Sequence, residues 1–307
     1  MTNRSLLSVV IPVYGCVATI EELCKRVAAL ESANLAIELI LVDDSSIDGG
    51  RDIVTTLGTV YPQCRSILLQ RNFGQHWATS RGILETSGDQ VVIMDCDLES
   101  RPEDIPRLVA ELSNEYLCVL GSSSTRGRRT ILRQVLRNFY GYMLSRCYRN
   151  DLIELGVNSF SFAAFNGRFV RELVSGSSPY DPISIKILDS GISIRAIQVS
   201  PSPGSSRRST YSTSENLLIA LKSLALAGKG FQILCVRSLA WLVAISIVSV
   251  PAFIWLVLKD GASIVSLILG LVVTAVFTVG LGITLALLTS ILLGSIKQNQ
   301  SVRSKQF

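Results

Sequence analysis

Length, composition and charge already exclude several classes of protein. The chain has 307 residues, of which 48% are hydrophobic and 17% are charged, so it is not an intrinsically disordered polypeptide. Its formal net charge of +5 is spread along the sequence and does not indicate nucleic-acid binding. Only four basic residues and one acid follow Arg237, so we expect a near-neutral globular part followed by a membrane part.

Short apolar runs alternate with amphipathic stretches in the N-terminal part of the chain. The β-branched and leucine-rich runs predict strands at Leu6–Val13, Ile37–Val42, Arg65–Leu69 and Gln90–Met94. Helical spacing predicts helices at Val17–Leu30, Asp48–Leu57 and Gln75–Thr86. This alternation is typical of an α/β fold with a mostly parallel sheet covered by helices. Ligands bind such sheets beyond the carboxyl ends of the strands, so the residues that follow each strand are the functional candidates.

Two acidic residues, Asp43 and Asp44, follow the second predicted strand. Their carboxylates can accept hydrogen bonds from ribose hydroxyls or from a base N–H. A structural interpretation of the same loop stays open, because Ser46 or Asp48 can cap the helix that follows. Neither GxGxxG nor GxxxxGK(S/T) follows the first strand, which disfavours a dinucleotide-binding domain and a P-loop NTPase.

A pair of carboxylates at the end of the fourth predicted strand is the sharpest chemical signal. Asp95 and Asp97 close the run Val-Val-Ile-Met, and residues i and i+2 of an extended segment point to the same side. Two such carboxylates can share a hard cation such as Mg²⁺ or Mn²⁺ together with substrate phosphates. Glu99 could supply a third oxygen. The alternative interpretation is a solvated acidic turn.

The cysteines and the single histidine indicate no metal site of their own. Seven cysteines show no CxxC and no paired spacing, and the single histidine disfavours a Cys/His zinc site. We therefore expect the thiols to be small core residues in a reduced, cytosolic compartment.

The segment from Leu117 to Asn150 carries seven arginines and no acid. Its apolar spacing predicts an amphipathic helix over residues 130–148. Near a membrane segment this favours an interfacial helix, and the alternative is a core helix with a solvated basic face. A second basic stretch contains Arg207 and Arg208. Because arginine donates to phosphate in pairs, the two clusters indicate a phosphate-bearing lipid or a diphosphate substrate.

Two uncharged stretches, residues 238–258 and 262–296, are separated by Lys259-Asp260-Gly261. Each is long enough to span a bilayer, so we predict transmembrane helices at 238–258 and 264–293. Basic residues flank the outer ends of this hairpin, which places both ends in the cytoplasm. The alternative is a buried helical hairpin in a soluble core. The expected segments are a domain at 1–213, a juxtamembrane helix at 214–237, two transmembrane helices at 238–296 and a tail at 297–307.

Several motifs, taken in order, resemble those of family-2 glycosyltransferases of the GT-A fold. They are Val9–Tyr14, Val42–Gly49, Arg71–Gly74, Ile93–Glu99 and Pro102–Asp104. With the two predicted spans and the run Arg208–Ser212, the chain resembles the polyprenyl-phosphate glycosyltransferases, such as dolichol-phosphate mannose synthase and the bactoprenol glucosyltransferases of O-antigen modification.

This resemblance implies an inverting transfer of a sugar from a UDP- or GDP-sugar to an undecaprenyl or dolichyl phosphate, for cell-surface glycan modification. The implied cofactor is Mg²⁺ or Mn²⁺, held on the donor diphosphate by Asp95 and Asp97, with Glu99 where the family usually has Gln. The residues implied around the donor nucleotide are Pro12, Tyr14, Asp43, Asp44 and Asn72. The arginines implied at donor or acceptor phosphates are Arg126, Arg129, Arg133, Arg207 and Arg208.

The resemblance also implies a multi-pass protein of the plasma (inner) membrane, with its catalytic domain on the cytoplasmic face. Its partners would be the nucleotide-sugar donor, the polyprenyl phosphate and membrane lipid, with a lipid-linked-sugar flippase and a second copy of the chain as further candidates. Nucleic acid is not among them.

The sequence departs from the family pattern at several places. Gly15-Cys16 stands where Asn-Glu usually follows the aromatic residue of the first motif. Ser161 and Gly204 stand where the family has arginines on the acceptor side. These departures leave Asp95 and Asp97 in place.

Two other functions are compatible with the sequence. One is a processive polysaccharide synthase, whose Gln-x-x-Arg-Trp motif has its nearest match at Gln134–Asn138, without the Trp. The other is a catalytically degenerate membrane protein that binds lipid phosphate or a partner.

Overall fold

The structure is a computed structural model that describes residues 4–123 and 160–200, together with Gly270 and Gly280. The chain divides into two compact units, Met1–Leu217 and Leu218–Phe307, and every strand and helix bounded below belongs to the first. Several predictions fall outside the described residues. These are the basic helix at 130–148, the juxtamembrane helix at 214–237, most of the two spans, the tail, and Arg126, Arg129, Arg133, Arg207 and Arg208.

Seven strands form one sheet in the order β3-β2-β1-β4-β6-β5-β7. Their bounds are β1 Ser5–Val13, β2 Leu35–Asp43, β3 Cys64–Leu68, β4 Gln90–Met94, β5 Cys118–Ser123, β6 Phe162–Asn166 and β7 Ile194–Val199. Only β6 runs antiparallel to its neighbours, β4 and β5, and the other pairs are parallel. The predicted mostly parallel sheet is therefore confirmed, and the four predicted strands lie within two residues of those observed.

The helices are α1 Ile20–Ala28, α2 Gly50–Val60, α3 Gln75–Leu84, α4 Ile105–Ala110, α5 Gly167–Ser175 and α6 Ile183–Ser190, with a 3-10 turn at Pro102–Asp104. The three predicted helices are present, but α1 begins later than expected because a tight turn precedes it, in which Thr19 N–H donates to Cys16 O. The residue that caps α2 is Gly49, with φ +88°, and not Ser46 or Asp48. Asp48 still supports this turn by accepting a hydrogen bond from Gly50 N–H at 3.1 Å.

The core lies on both faces of β1 and β2, as expected for central parallel strands. On one face, Leu7, Val9 and Ile11 pack with α1 residues such as Leu23. On the other face, α3 lies directly on the sheet. This close approach requires glycine at position 82, because a Cβ there would collide with Val10 and Val42. The consequence is that α1 and α3 flank the strands whose ends carry the candidate site.

Within the two described stretches, no helix combines the length and apolar character needed to cross a bilayer. The predicted spans lie outside those stretches. Gly270 and Gly280, the described residues within the second predicted span, are both helical.

Candidate active site

The ends of two neighbouring strands bring distant parts of the chain together. β1 and β4 are adjacent and parallel, with Val10 opposite Ile93. The loop after β1 therefore lies beside the Asp95-Cys96-Asp97 motif after β4. The Thr19 hydroxyl joins the two loops, because it donates to Cys96 O at 2.6 Å and lies 3.2 Å from Cys16 O.

A disulfide bond also joins these loops, between Cys16 and Cys96, whose Cα atoms are 5.9 Å apart. The expectation that all the thiols are reduced core residues was wrong for this pair. The pairing was not visible in the sequence because the two cysteines are 80 residues apart and meet only through the sheet register. Cys24, Cys64 and Cys118 are buried and free, as predicted.

The acidic motif itself lies in a turn and not in an extended segment. β4 ends at Met94, and Asp97 Oδ1 accepts a hydrogen bond from Glu99 N–H at 2.9 Å. The expectation that Asp95 and Asp97 share one side by strand alternation was therefore based on the wrong local conformation. Their carboxylates are nonetheless close enough to repel each other, since the charge of Asp97 contributes to a raised pKa of Asp95.

Asp95 is the most strongly perturbed carboxylate of the site. Burial raises its pKa to about 7, and the charges of Asp97 and Glu99 act in the same direction. Gln75, the first residue of α3, donates a hydrogen bond from Nε2 to Asp95 Oδ1 at 2.6 Å and lowers the pKa. Sequence reasoning missed Gln75. Its position at the helix start after the third strand was the available signal, because that start faces the same edge of the sheet.

This donor set fits a divalent cation in part. Two mutually repelling carboxylates offer hard oxygen ligands, and a cation between them would offset their repulsion. Across residues 4–123 and 160–200, however, no three His, Cys, Asp or Glu side chains are grouped as a metal site. Glu99 lies close enough for its charge to raise the pKa of Asp95, but the three acids are not grouped as a metal site in that part of the chain.

Asp43, the last residue of β2, and Asp44, which follows it, have their carboxylates enclosed by protein. Asp44 accepts hydrogen bonds from Phe73 N–H at 2.7 Å and from Gly74 N–H at 2.8 Å. Burial raises the pKa of Asp44, and those two amides partly offset the effect. Asp43 is fully buried and accepts from Ser46 N–H at 3.1 Å. In this structure both side chains are buried and hold the loops around the site through these hydrogen bonds.

Other predicted donor-binding residues are more accessible. Tyr14 is half exposed at the end of β1, directly after the buried residues that include Pro12. Asn72 is exposed in the loop after β3. That loop is stiffened by aromatic stacking, because the Phe73 ring lies 4.5 Å from the Trp77 ring. The five predicted phosphate-binding arginines all lie outside the described residues.

A buried lysine behind α3 was also missed by sequence reasoning. Lys186 in α6 is 5% exposed and donates from Nζ to Ser80 Oγ at 3.1 Å. Burial lowers its pKa to about 8, against the opposing effect of Asp181. Burial and the charge of Lys186 also lower the pKa of His76. In the sequence, a single lysine in a helix is expected on the solvent-exposed face. Only the packed structure shows that Lys186 is buried beside Ser80 and His76.

Comparison with solved structures shows a shared fold. Crystal structures of glucosyl-3-phosphoglycerate synthase from Mycobacterium tuberculosis match 74% of this chain and 80% of that one at 21% identity. The TM-score is 0.54 for the complex with UDP and 0.56 for the complex with Mg²⁺ and UDP. At this identity the likeness shows the fold alone. It agrees with the GT-A-like α/β architecture expected from the motifs.

Comparison with curated sequences gives more similar relatives. The chain is 36% identical over 142 residues to undecaprenyl-phosphate 4-deoxy-4-formamido-L-arabinose transferase of Salmonella paratyphi A, over 46% of this chain and 43% of that protein. The Pseudomonas paraeruginosa protein of the same name is 36% identical over 167 residues, covering 48% of each chain. The chain thus spans about half the length of the curated relatives it matches. The sequence profile of glycosyl transferase family 2 matches residues 8–174, which is more than half of the chain, and the chain therefore belongs to that family.

Proposed function

We propose that the protein transfers a sugar, with inversion, from a UDP- or GDP-sugar to a membrane polyprenyl phosphate of undecaprenyl or dolichyl type. The observation that carries the proposal is the Asp95-Cys96-Asp97 turn beside the Tyr14 loop, at the carboxyl edge of the sheet. The names of the relatives support the acceptor, because those proteins are undecaprenyl-phosphate transferases. The fold neighbour was solved with Mn²⁺ and UDP-glucose, which supports a nucleotide-sugar donor.

The proposed reaction needs alignment more than it needs a base. An acceptor phosphate oxygen attacks the anomeric carbon, the carbon–oxygen bond to the diphosphate breaks, and the nucleoside diphosphate leaves with the bonding electrons. A phosphomonoester has a second pKa of about 6, so the nucleophile is already ionised at neutral pH. The protein's contribution is then to hold two anionic substrates in line.

Asp95 and Asp97 would hold Mg²⁺ or Mn²⁺, which when bound neutralises charge that develops on the diphosphate leaving group. Gln75 keeps Asp95 oriented. The exposed Tyr14 ring offers a stacking surface for the base, and Asn72 offers an amide for the nucleoside. Arg126, Arg129, Arg133, Arg207 and Arg208 are proposed partners of donor and acceptor phosphates, because guanidinium pairs well with phosphate oxygens.

The proposal includes the cellular setting. Helices at 238–258 and 264–293 would anchor the protein in the plasma membrane, with the domain at 1–213 on the cytoplasmic face, where nucleotide-sugars are available. Lipid, a flippase for the lipid-linked sugar and a second copy of the chain are further proposed partners.

A donor screen tests the reaction. Membranes with the full chain are incubated with Mg²⁺, undecaprenyl phosphate and radiolabelled UDP- or GDP-sugars, and then extracted with organic solvent. We expect lipid-phase label from one donor, lost in Asp97→Ala. The label should be kept in Asp89→Ala, which removes an exposed carboxylate at the opposite end of β4. Label from no donor, or label unaffected by Asp97→Ala, would contradict the proposal.

A further inference from the structure

The Cys16–Cys96 disulfide is attached to the middle of the acidic motif. Cys96 stands between Asp95 and Asp97, and Cys16 follows the exposed residues Tyr14 and Gly15. Cys16 belongs to a departure of this chain, since the family usually has Asn-Glu at positions 15–16. The bridge therefore joins the proposed nucleoside loop to the proposed metal motif by a covalent bond.

The motif is held from two sides. Asp95 is bound by Gln75 of α3, whereas Cys96 is buried with Cys16 in the apolar cluster that includes Ile20 of α1. Like charges on Asp95 and Asp97 favour opening of the turn between them. The disulfide opposes that opening, because it fixes the residue between the two carboxylates to the loop that follows β1.

One weaker interaction between the loops after β1 and β4 is a hydrogen bond that does not depend on the disulfide. The Thr19 hydroxyl donates to Cys96 O at 2.6 Å, and this hydrogen bond involves no sulfur atom. Breaking the disulfide should therefore loosen the motif without unfolding the loops. The expected effect is a change in ligand affinity and not a loss of the domain.

The other described cysteines are poor candidates for the same chemistry. Cys24 and Cys118 are fully buried, and burial raises the pKa of Cys24 to about 12, which keeps it a thiol. Cys16 and Cys96 keep 8% and 7% of their surface exposed and adjoin an exposed loop. Cys64 matches Cys16 in exposure, at 8%, but burial raises its pKa to about 11, which keeps it a thiol, so the bridged pair remains the candidate among the described cysteines.

We propose that Cys16 and Cys96 form a reversible redox modification site whose bridged state strengthens binding of a divalent cation with nucleoside diphosphate. The affinity effect rests on the function proposed above. In a reducing compartment, disulfides are usually transient or redox-sensing, which suits a reversible bond at this place.

The chemistry uses low-molecular-weight thiols and disulfides of the glutathione class. A thiolate attacks one sulfur of the bridge, the protein S–S bond breaks, and a mixed disulfide forms. A second small thiol releases the small disulfide, so that the protein gains two electrons and two protons. The reverse exchange with a small disulfide closes the bridge again.

The test measures bond state and affinity separately on the purified full chain. Oxidised or reduced glutathione sets the bond, and alkylation with mass spectrometry identifies the blocked cysteines. Mn²⁺ titrations in the presence of UDP or of GDP, followed by electron paramagnetic resonance, measure cation affinity after the glutathione is removed. Cys16→Ser and Cys16→Ala are the test variants, and Cys24→Ala is the matched control.

We expect the bridge to form with oxidised glutathione and to open with reduced glutathione. We expect opening to weaken Mn²⁺ binding by about tenfold, the low end for loss of a group that supports a metal ligand. After either glutathione treatment, both Cys16 variants should bind Mn²⁺ with the affinity of the reduced wild type. The Mn²⁺ affinity of Cys24→Ala should change with the treatment as that of the wild type does. Absence of the bond, or equal affinity in both states, would overturn the inference. No Mn²⁺ binding with either nucleotide in any state would instead count against the proposed function.

Discussion

At the scale of single residues, the site depends on how a carboxylate is oriented. Asp95 is partly enclosed, repelled by neighbouring acids and held by one amide donor, Gln75. The acidic pair itself was predictable, because Asp-x-Asp after a buried strand is a local pattern. Gln75 was not, because the hydrogen bond depends on how α3 packs beside β4's end.

Gln75→Ala should weaken metal use while leaving the chemistry intact. Without the amide donor, Asp95 is less well oriented, so the Mg²⁺ concentration for half-maximal transfer should rise about tenfold. The rate at saturating Mg²⁺ should change little. Transfer measured over a Mg²⁺ series checks this. Leu84→Ala, an exposed position at the other end of α3, serves as control, and an unchanged Mg²⁺ dependence in Gln75→Ala would refute the positioning role.

Lys186 gives a pH-dependent prediction. Its folded-state pKa, about 8, lies below the ordinary lysine value, so between about pH 8 and 10.5 the unfolded chain binds more protons than the folded one. The contribution of Lys186 to the free energy of unfolding therefore rises with pH across that window. Below it, the folded protein bears the full cost of a buried charge.

Lys186→Met should accordingly be more stable than wild type at pH 7, by about 2 kcal/mol, with the difference shrinking towards pH 10. Thermal unfolding of both proteins at several pH values measures this. Ser80 keeps a partner in the variant, because its hydroxyl lies 3.3 Å from Pro179 O. A constant difference at every pH would show that Lys186 is not titrating as described.

At the scale of elements, loops and helix starts determine the site. Asp44 binds the amides of Phe73 and Gly74, and the next residue, Gln75, reaches Asp95. Asp44 thus holds the loop that leads directly to Gln75, the residue that donates to the acidic motif. Sequence spacing indicated that these loops share an edge of the sheet, but the direction of each side chain depended on turn geometry.

The close packing of α3 on the sheet at Gly82 is a second feature at the scale of elements. Gly82→Val should lower the free energy of unfolding by about 3 kcal/mol, since added carbons would be forced against Val10 and Val42. Chemical or thermal unfolding checks the value. Leu84→Ala, at an exposed position of the same helix, should stay within about 0.5 kcal/mol. Equal effects of the two substitutions would show that the close contact is not important.

At the scale of the whole molecule, charge distribution predicts a membrane protein. We expect the full chain to remain in the pellet when membranes are washed with alkaline carbonate, because two uncharged stretches after Arg237 would each bury about 20 residues in lipid. Immunoblotting of pellet and supernatant measures this. A chain released by the wash would favour the buried-hairpin alternative.

The sequence by itself determined the alternation of strands and helices, the mostly parallel sheet and the acidic motif. Each of these depends on local periodicity or on residues close together in the chain, such as the apolar runs that became β1 and β4. The antiparallel β6 was not predicted, because strand pairing is a long-range choice.

Only the tertiary structure decided which distant groups meet. The parallel register of β1 and β4 brought Cys16 to Cys96, the packing of α3 brought Gln75 to Asp95, and the packing of α6 enclosed Lys186. The physical reason is the same in each case. Burial, repulsion and hydrogen bonding act between atoms a few ångströms apart, and the sheet order sets those distances for residues far apart in sequence.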